Sequence, residues 1–302
     1  MGALRGAPVS FSRMIQDILI TGLVNSGVYA LLAVGFSLIF GVARIVNIAH
    51  TAFYMLAAYC FYALLVKTGL GFVPSGLIAI VAVTALSVLC YRLVIEPVRE
   101  HEAAVLIATI ALALIFQESM LLSFGGHYLG IPSTLEGMVH VLGVSIPYQR
   151  LLILIVAAAM LALVWFLLYG TRLGLAIRAT ANDLEVANLM GMNVHRVAMA
   201  SVAISVALAA IAGVVVAPVF VVDPFMWLAP LVTMLAIVVL GGLGSLKGSL
   251  IGALIIGYVE AITVFALPAG AYLKGAVALA IMVAVLLARP EGLFGVAFEE
   301  ER

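Results

Sequence analysis

The sequence predicts an all-α fold: a polytopic bundle of eight or nine transmembrane helices with one short helix in a cytoplasmic link. Apolar residues make up 66% of the chain and charged residues 9%, whereas soluble domains average about 45–50% and about 25%. Apolar segments of about 20 residues, the length of a membrane-spanning helix, recur along the chain. Runs such as LLILIVAAAMLALVWFLLYG lack the alternation that a transmembrane β-barrel requires. The chain is therefore interpreted as a helical integral membrane protein.

The apolar segments define the predicted spans. In chain order they are 15–42, 48–66, 72–91, 103–124, 150–169, 197–222, 228–245, 249–268 and 272–288. The count stays at eight or nine, because the segments beside Arg44 and beside Lys247 could each contain a re-entrant piece. The first segment exceeds the roughly 7–15 residues of a signal-peptide core, so it is predicted to be retained. Residues 1–302 are accordingly interpreted as a single transmembrane domain.

Basic residues predict the orientation in the membrane, because cytoplasmic loops carry an excess of lysine and arginine. The links predicted to be cytoplasmic on this ground contain Arg92, Arg99, Arg172, Arg178, Arg196 and Arg289. The loop 125–149 then faces outward. Counting back through nine spans places the N-terminus outside, whereas Arg5 and Arg13 favour the inside. The sequence leaves the side of the N-terminus open.

The link at about 171–196 is polar, and its residue pattern is too regular for an unstructured loop. Asn182 and Glu185 have the spacing of a capping box with Asn182 as the N-cap, and Gly191 stands where a helix would end in the left-handed conformation. These residues predict a helix of about two turns between them. Its apolar face would consist of Val186, Leu189 and Met190. Such a helix would lie either on the protein's own membrane domain or on another protein.

The stretch TRLGLAIRATANDLEVANLMGMN, residues 171–193, resembles the cytoplasmic coupling loop in permease subunits of branched-chain amino-acid ABC importers. That family has a G-x-A-x-R-A-x-A pattern followed by an acidic residue, an alanine and a Met-Gly pair. The matching positions are Gly174, Ala176, Arg178, Ala179, Ala181, Asp183, Ala187, Met190 and Gly191. The resemblance implies that the segment docks on an ATP-binding subunit, with Arg178 and Asp183 fixing its register through charge-assisted hydrogen bonds. The predicted coupling residues are Gly174, Arg178, Ala179, Asp183, Glu185, Ala187, Met190 and Gly191.

Two further stretches carry the same resemblance. GLVNSGVYALLAVGFSLIFGVARIVNIAHTAFYMLAAY, residues 22–59, resembles the family's N-terminal signature, although Thr51 and Ala57 replace glycines that the family usually has. LGGLGSLKGSLIGALIIGYVEA, residues 240–261, resembles its glycine-rich turn and the helix that follows. Glycines at every fourth position of this stretch predict a flat stripe for close helix packing. They are Gly244, Gly248 and Gly252.

The sequence contains no pattern for ATP hydrolysis. GSLKGS reverses the Gly-Lys order of a phosphate-binding loop. A membrane-embedded hydrolase is a further alternative, but neither of its motifs HExxH and GxSxG occurs. The histidines in the links lack the spacing of metal ligands. We therefore expect no catalytic residues, no metal site and no cofactor in this chain, and we expect ATP hydrolysis on partner subunits.

Polar side chains inside the predicted spans are candidates for a translocation pathway or for hydrogen bonds between helices. Arg44, Asn47, Thr51 and Tyr54 fall at helical spacing, with His50 beside them. Intramembrane polar groups usually face the protein interior or a water-filled cavity. The candidates for either role are Asn47, His50, Tyr54 and Glu260. For Glu260 the interhelical role is favoured, because an acid suits neutral zwitterions poorly, and Glu118 near the outer end of its span also needs a partner or water.

Together with the resemblance, these features imply the permease subunit of an ATP-driven ABC importer for branched-chain or related amino acids, located in the bacterial inner membrane. The chain would form half of a translocation pathway with a second, different permease subunit. The implied further partners are two cytoplasmic ATP-binding subunits, an extracytoplasmic substrate-binding protein and membrane lipid, but no nucleic acid. The alternative is an ion-gradient-driven secondary transporter, which the glycine-interrupted regions 41–50 and 241–248 also fit. Such a carrier has no need of a coupling loop.

Overall fold

The computed structural model describes residues 11–132, 137–141 and 144–294. The helices are α1 Phe11–Ala43, α2 His50–Tyr62, α3 Phe72–Cys90, α4 Glu102–Phe124, α5 Tyr148–Gly170, α6 Arg172–Asn182, α7 Leu184–Leu189, α8 Val194–Val216, α9 Leu228–Gly241, α10 Leu246–Ala266 and α11 Gly270–Ala288. One antiparallel hairpin pairs β1, Met138–Val141, with β2, Val144–Pro147. The predicted helical membrane fold is confirmed, with this hairpin as an addition in the loop 125–149. Arg5 lies outside the described residues.

Every predicted span corresponds to a helix, but the helices differ in length. Within the described residues, seven helices are long and apolar enough to cross a membrane. The predicted span 48–66 holds α2, whose 13 residues continue without a break into a π-helical segment at Ala63–Lys67. The predicted span 228–245 holds α9, with 14 residues, which at 1.5 Å per residue measures about 20 Å, less than the roughly 30 Å of the hydrocarbon core. The expected eight or nine spans therefore correspond to these seven helices, the continuous helical segment 50–67 and the short α9.

α2 and α9 lie inside the bundle. Eleven of the thirteen residues of α2 are buried, and α2 packs between α8, α3 and α4. α1 and α8 are also mostly buried, whereas α5 and α11 lie at the periphery. A helix that ends short of the membrane surface, as α9 does, leaves backbone groups that only protein or enclosed water can satisfy. The bundle therefore encloses α2 and α9 together with the long helices α1 and α8, and it exposes α5 and α11.

One end of the bundle gathers the last turn of α1, the turn between α9 and α10, and α6. A Cβ on Gly41 would lie 3.8 Å from the Cβ of Ala181 and 3.7 Å from the carbonyl oxygen of Gly244. His195 at the start of α8 contacts the carboxylate of Glu96, so the link between α3 and α4 lies at this end as well. The start of α1 thus lies at the end opposite to α6. If α6 is cytoplasmic, α1 therefore begins on the outer side of the membrane, as counting back through nine spans also indicates.

Candidate functional site

The predicted coupling segment, residues 171–193 and called the coupling segment below, contains α6 and α7 with a single residue between them. That residue, Asp183, has extended backbone at φ −150° and ψ 111°, and its carboxylate accepts the backbone N–H of Val186 at 2.9 Å. The predicted N-cap at Asn182 is wrong, because Asn182 is still helical as the last residue of α6. Asparagine and aspartate cap helices about equally well, so only the residue at which α6 ends decides which of the two is the N-cap.

The end of α7 is a glycine-terminated turn. Gly191 has φ +80°. Its N–H donates to the carbonyl oxygen of Asn188 at 3.0 Å, and the N–H of Met192 donates to that of Ala187 at 3.1 Å. These two bonds form a Schellman motif, which satisfies carbonyl groups at the helix end. The predicted left-handed helix end at Gly191 is confirmed.

α7 turns its apolar side chains away from the rest of the chain. Only Ala187 of its six residues is buried. The exposed fraction is 85% for Leu189 and 75% for the adjoining Met190, and Val186 is half exposed. This face therefore does not rest on the protein's own membrane domain, which was one of the two possibilities left by the sequence. Large apolar side chains grouped on an exposed surface mark a site where another molecule binds.

α6 is held against the end of α5. Gly174 lies so close to Leu167 and Leu168 that a Cβ there would clash with their backbone. The Nε of Arg178 donates to the carbonyl oxygen of Leu168 at 3.0 Å, and its guanidinium carbon lies 4.7 Å from the centre of the Tyr169 ring. These contacts satisfy a free carbonyl at the end of α5 and add a cation–π interaction. Within the chain Arg178 makes these two contacts, and its side chain is exposed. Its expected bond with a partner subunit stays a prediction.

The other end of α6 contacts the break between α1 and α2. The Nη2 of Arg44 donates to the carbonyl oxygen of Ala181 at 3.1 Å. Arg44 has φ +55°, and residues 44–49 are not helical. The prediction that Arg44 and Asn47 share one face of a helix is therefore wrong. The non-helical segment 44–49 separates them, and Arg44 points towards α6. Sequence patterns could not signal this contact, since the acceptor is a backbone carbonyl 137 residues away.

Asn47, His50 and Tyr54 lie in the interior of the bundle, where their exposed fractions are 1%, 0% and 4%. The Nδ1 of His50 lies 3.5 Å from the Oγ of Ser205, which donates to the carbonyl oxygen of Gly35 at 2.6 Å. Within the described part of the chain, the Oδ1 of Asn47 and the Nε2 of His50 have no hydrogen-bond partner. Buried polar atoms of this kind are commonly satisfied by enclosed water. All three side chains are covered by their own chain.

Glu260 connects three helices. It lies on α10 with an exposed fraction of 1%. The hydroxyl of Tyr29 on α1 donates to its Oε2 at 2.7 Å, and the hydroxyl of Thr233 on α9 donates to its Oε1 at 3.2 Å. A buried carboxyl group needs such donors, because leaving it unpaired in an apolar interior is costly.

Two of the three predicted packing glycines lie at the contact between α9 and α10. A Cβ on Gly248 or Gly252 would clash with backbone carbonyl groups of α9. Gly244 does not belong to this stripe, because it precedes α10 in a turn and has φ +80°. The helix begins later because Ser245 caps it, accepting the N–H of Gly248 at 3.1 Å. The prediction from the four-residue spacing is therefore wrong for Gly244, which is not part of the glycine stripe on α10.

Proteins similar to this chain include components of branched-chain amino acid transport systems. A family model described as branched-chain amino acid transport system, permease component, matches residues 18–286. The chain is 33% identical to the high-affinity branched-chain amino acid transport system permease protein LivH of Escherichia coli K12, over 91% of this chain and 93% of that protein. It is 31% identical to the high-affinity branched-chain amino acid transport system permease protein BraD of Pseudomonas aeruginosa, over 92% and 94%.

A solved structure agrees on the fold. PsaBC from Streptococcus pneumoniae in complex with Fab superposes with a TM-score of 0.51 and 15% identity, over 93% of this chain and 96% of that chain. At this identity the likeness concerns the fold alone. The family model and the relatives, in contrast, match almost the whole sequence at substantial identity. The chain therefore belongs to the family of branched-chain amino acid transport system permease components.

Proposed function

We propose that this chain is the permease subunit of an ATP-driven importer in a bacterial inner membrane, and that its coupling segment binds a cytoplasmic ATP-binding subunit. The observation that carries the proposal is the exposed apolar face of α7. Leu189 and Met190 are mostly exposed in the isolated chain, and burying them against a partner would be favourable. The sequence has no phosphate-binding loop of its own, so ATP hydrolysis belongs to that partner.

The surface around α7 suits a protein interface. Its apolar centre, Leu189 and Met190, is flanked by the exposed acidic residues Asp183 and Glu185. Interfaces commonly combine an apolar core with a polar rim, and opposite charges across the rim fix the orientation. We therefore expect basic side chains on the ATP-binding subunit beside Asp183 and Glu185. Ala179 and Ala187 are small residues, partly buried on α6 and buried on α7, and we propose that they let both helices pack closely behind this surface.

The contacts of α6 supply a route by which movement of the ATP-binding subunit would reach the membrane helices. Arg178 and Gly174 join α6 to the end of α5. Arg44 joins it to the end of α1, and Gly41 brings the turn before α10 into the same junction. A rigid displacement of the coupling segment would therefore act on three helix ends together.

The buried polar residues are proposed to hold the helices together. If the pathway runs between two permease subunits, the residues that line it must lie on the surface of one subunit taken alone. Asn47, His50, Tyr54 and Glu260 are instead buried within this chain. The two hydrogen bonds of Glu260 to neighbouring helices support the same role.

The proposed substrate is a branched-chain amino acid or a closely related one, because the similar proteins from E. coli and P. aeruginosa are named for that transport. The proposed complex contains a second permease subunit, two ATP-binding subunits and an extracytoplasmic binding protein that meets the outward loop 125–149. Residues 1–302 would form one transmembrane domain, with the coupling segment inside the link 171–196. An ion-gradient-driven carrier would leave the exposed face of α7 unexplained.

Leu189→Asp tests this proposal, with Asn188→Asp as a matched control on the same helix. Leu189 is 85% exposed, so its replacement leaves the fold of this chain intact. We expect Leu189→Asp to lose co-purification of the ATP-binding subunit and ATP-driven amino-acid uptake in proteoliposomes. Asn188→Asp adds the same charge at an exposed polar position and should retain both. Equal uptake by both variants, or uptake that follows an ion gradient without ATP, would refute the proposal.

A further inference from the structure

α4 carries a carboxylate on the face that points away from the helix bundle. Within the chain α4 packs mainly on α2 and on residues 91–98, which precede it, so much of its circumference is exposed. Glu118 is exposed. Leu114 and Leu122, one helical turn to either side, share its face and are 46% and 86% exposed. An ionisable side chain therefore interrupts an apolar helix face.

Hydrogen bonds from the interior hold this carboxylate in place. The indole Nε1 of Trp227 donates to the Oε1 of Gln117 at 2.9 Å. The Nε2 of Gln117 then donates to the Oε1 of Glu118 at 3.3 Å. Trp227 and Gln117 are both buried. A carboxylate offers about four acceptor positions, and the amide of Gln117 occupies one of them.

The position of Glu118 along α4 places it within the membrane. It lies about 9 Å before the end of the helix at Phe124, and the 23 residues of α4 span about 34 Å against roughly 30 Å of hydrocarbon. The contact between His195 and Glu96 puts the start of α4 at the same end of the bundle as α6. Glu118 is therefore in the half of the membrane that lies away from the coupling segment.

Because of the direction of α4, the Glu118 side chain does not extend towards the nearer membrane surface, where its carboxylate would reach water. Cα–Cβ bonds in a helix tilt towards its N-terminus. The N-terminus of α4 lies at the end that carries α6, so the Glu118 side chain starts out towards the middle of the membrane. An ionisable group at such a place is costly in lipid, and as a rule it faces water or protein.

We propose that this face of α4, with Glu118 at its centre, lines the outer half of the translocation route, and that the Glu118 carboxylate binds the ammonium group of the amino acid in transit. The net neutrality of a zwitterion weighs against Glu260 as a substrate ligand, but the ammonium group taken by itself supplies three donors and the opposite charge. A carboxylate suits this end of the amino acid when the substrate's own carboxylate points away from it. Gln117 and Trp227 position the carboxylate from behind, and the second permease subunit supplies the facing wall. This inference rests on the proposed function and adds a contact for its substrate.

The first test measures ATP-driven leucine uptake by the complete complex in proteoliposomes. Loss of a charge-assisted hydrogen bond corresponds to roughly a 10-fold decrease or more, and we expect this decrease for Glu118→Gln. The ATP-binding subunits should still co-purify, because α7 is untouched. Glu102→Gln is the matched control, since Glu102 is exposed in the first turn of the same helix at its other end. It should transport at the wild-type rate.

The second test measures solvent access, in a background where Cys60 and Cys90 are alanine. A thiol introduced by Glu118→Cys should react with a charged, membrane-impermeant reagent added from outside. Leucine-loaded binding protein together with ATP should slow that reaction. Leu122→Cys, on the same face and one turn nearer the outside, should react as well.

Wild-type uptake by Glu118→Gln would overturn the proposal, as would a thiol at position 118 that reacts only with apolar reagents. A thiol that cross-links to the second permease subunit and is insensitive to substrate would also overturn it, because the face would then be an assembly contact. If the wild-type complex shows no ATP-driven leucine uptake, the proposed function fails instead. The thiol labelling still reports on the surroundings of Glu118 in that case.

Discussion

α7 and α9 are both short helices with large apolar side chains, yet their surroundings are opposite. Eight of the fourteen residues of α9 are buried, against one of six in α7. α9 is covered by α10, where Gly248 and Gly252 allow backbone to approach backbone. α7 has its Leu189 side chain 85% exposed. The cover of α9 is supplied by its own chain, whereas the cover of α7 is proposed to be another chain.

The largest expected effect is on the covered helix, through Gly248→Leu. The new Cβ would fall on the carbonyl group of Gly241, which is backbone and cannot turn aside. We expect a loss of stability above the about 1–3 kcal/mol of ordinary overpacking. Thermal unfolding in detergent and the monodisperse fraction on size exclusion measure it.

Gly275→Leu is the control for that experiment, because a Cβ on Gly275 would have no atom within 4 Å. It should unfold at the wild-type temperature. If Gly248→Leu does so too while changing which amino acid is carried, the contact between α9 and α10 is not what covers α9. A role of Gly248 in the pathway would follow.

An intermediate effect is expected on the uncovered helix, through Asp183→Arg. Reversing a charge at an interface places like charges together, whereas a change on a solvated surface is usually within about 0.5 kcal/mol. Uptake should be lost although the variant reaches the membrane at normal levels. Asp183→Asn removes the charge but keeps the N-cap that accepts from Val186, so it should retain most of the uptake. Normal transport by Asp183→Arg would mean that α7 faces only water.

The smallest effect is expected where the two regions are connected, at Arg44. Arg44→Ala removes the hydrogen bond to Ala181, and such bonds contribute about 0.5–1.5 kcal/mol. We expect the ATP-binding subunit to remain bound while the amino acid transported per ATP hydrolysed falls severalfold. Arg44→Lys keeps a donor at this position and should lie closer to wild type. If Arg44→Ala transports as much amino acid per ATP hydrolysed as the wild type, this contact does not take part in coupling.

The sequence was sufficient for the features that the bilayer imposes. Hydropathy located every span, because a helix must be apolar over the thickness of the hydrocarbon. The polar link 171–196 stood out for the same reason, and Gly191 was recognised because few other residues adopt a positive φ at a helix end.

Features set by contacts between distant segments could not be predicted. Asn182 and Asp183 are equivalent caps until the end of α6 is known. Arg178 lies beside Leu168 and Tyr169 only because α6 folds back on α5. The burial of His50 depends on Phe36 of α1 and Ser205 of α8, which lie beside its ring. In each case the deciding neighbour lies on another element, which periodicity along one segment does not describe.

The exposure of Leu189 and Met190 also bears on the life of the subunit before assembly. A newly inserted copy without its ATP-binding partner would present this apolar surface to the cytosol, where proteolytic surveillance acts on such features. Its lifetime would then depend on how soon the partner arrives. The same few side chains that are proposed to couple the finished transporter would thereby set the ratio in which its subunits accumulate.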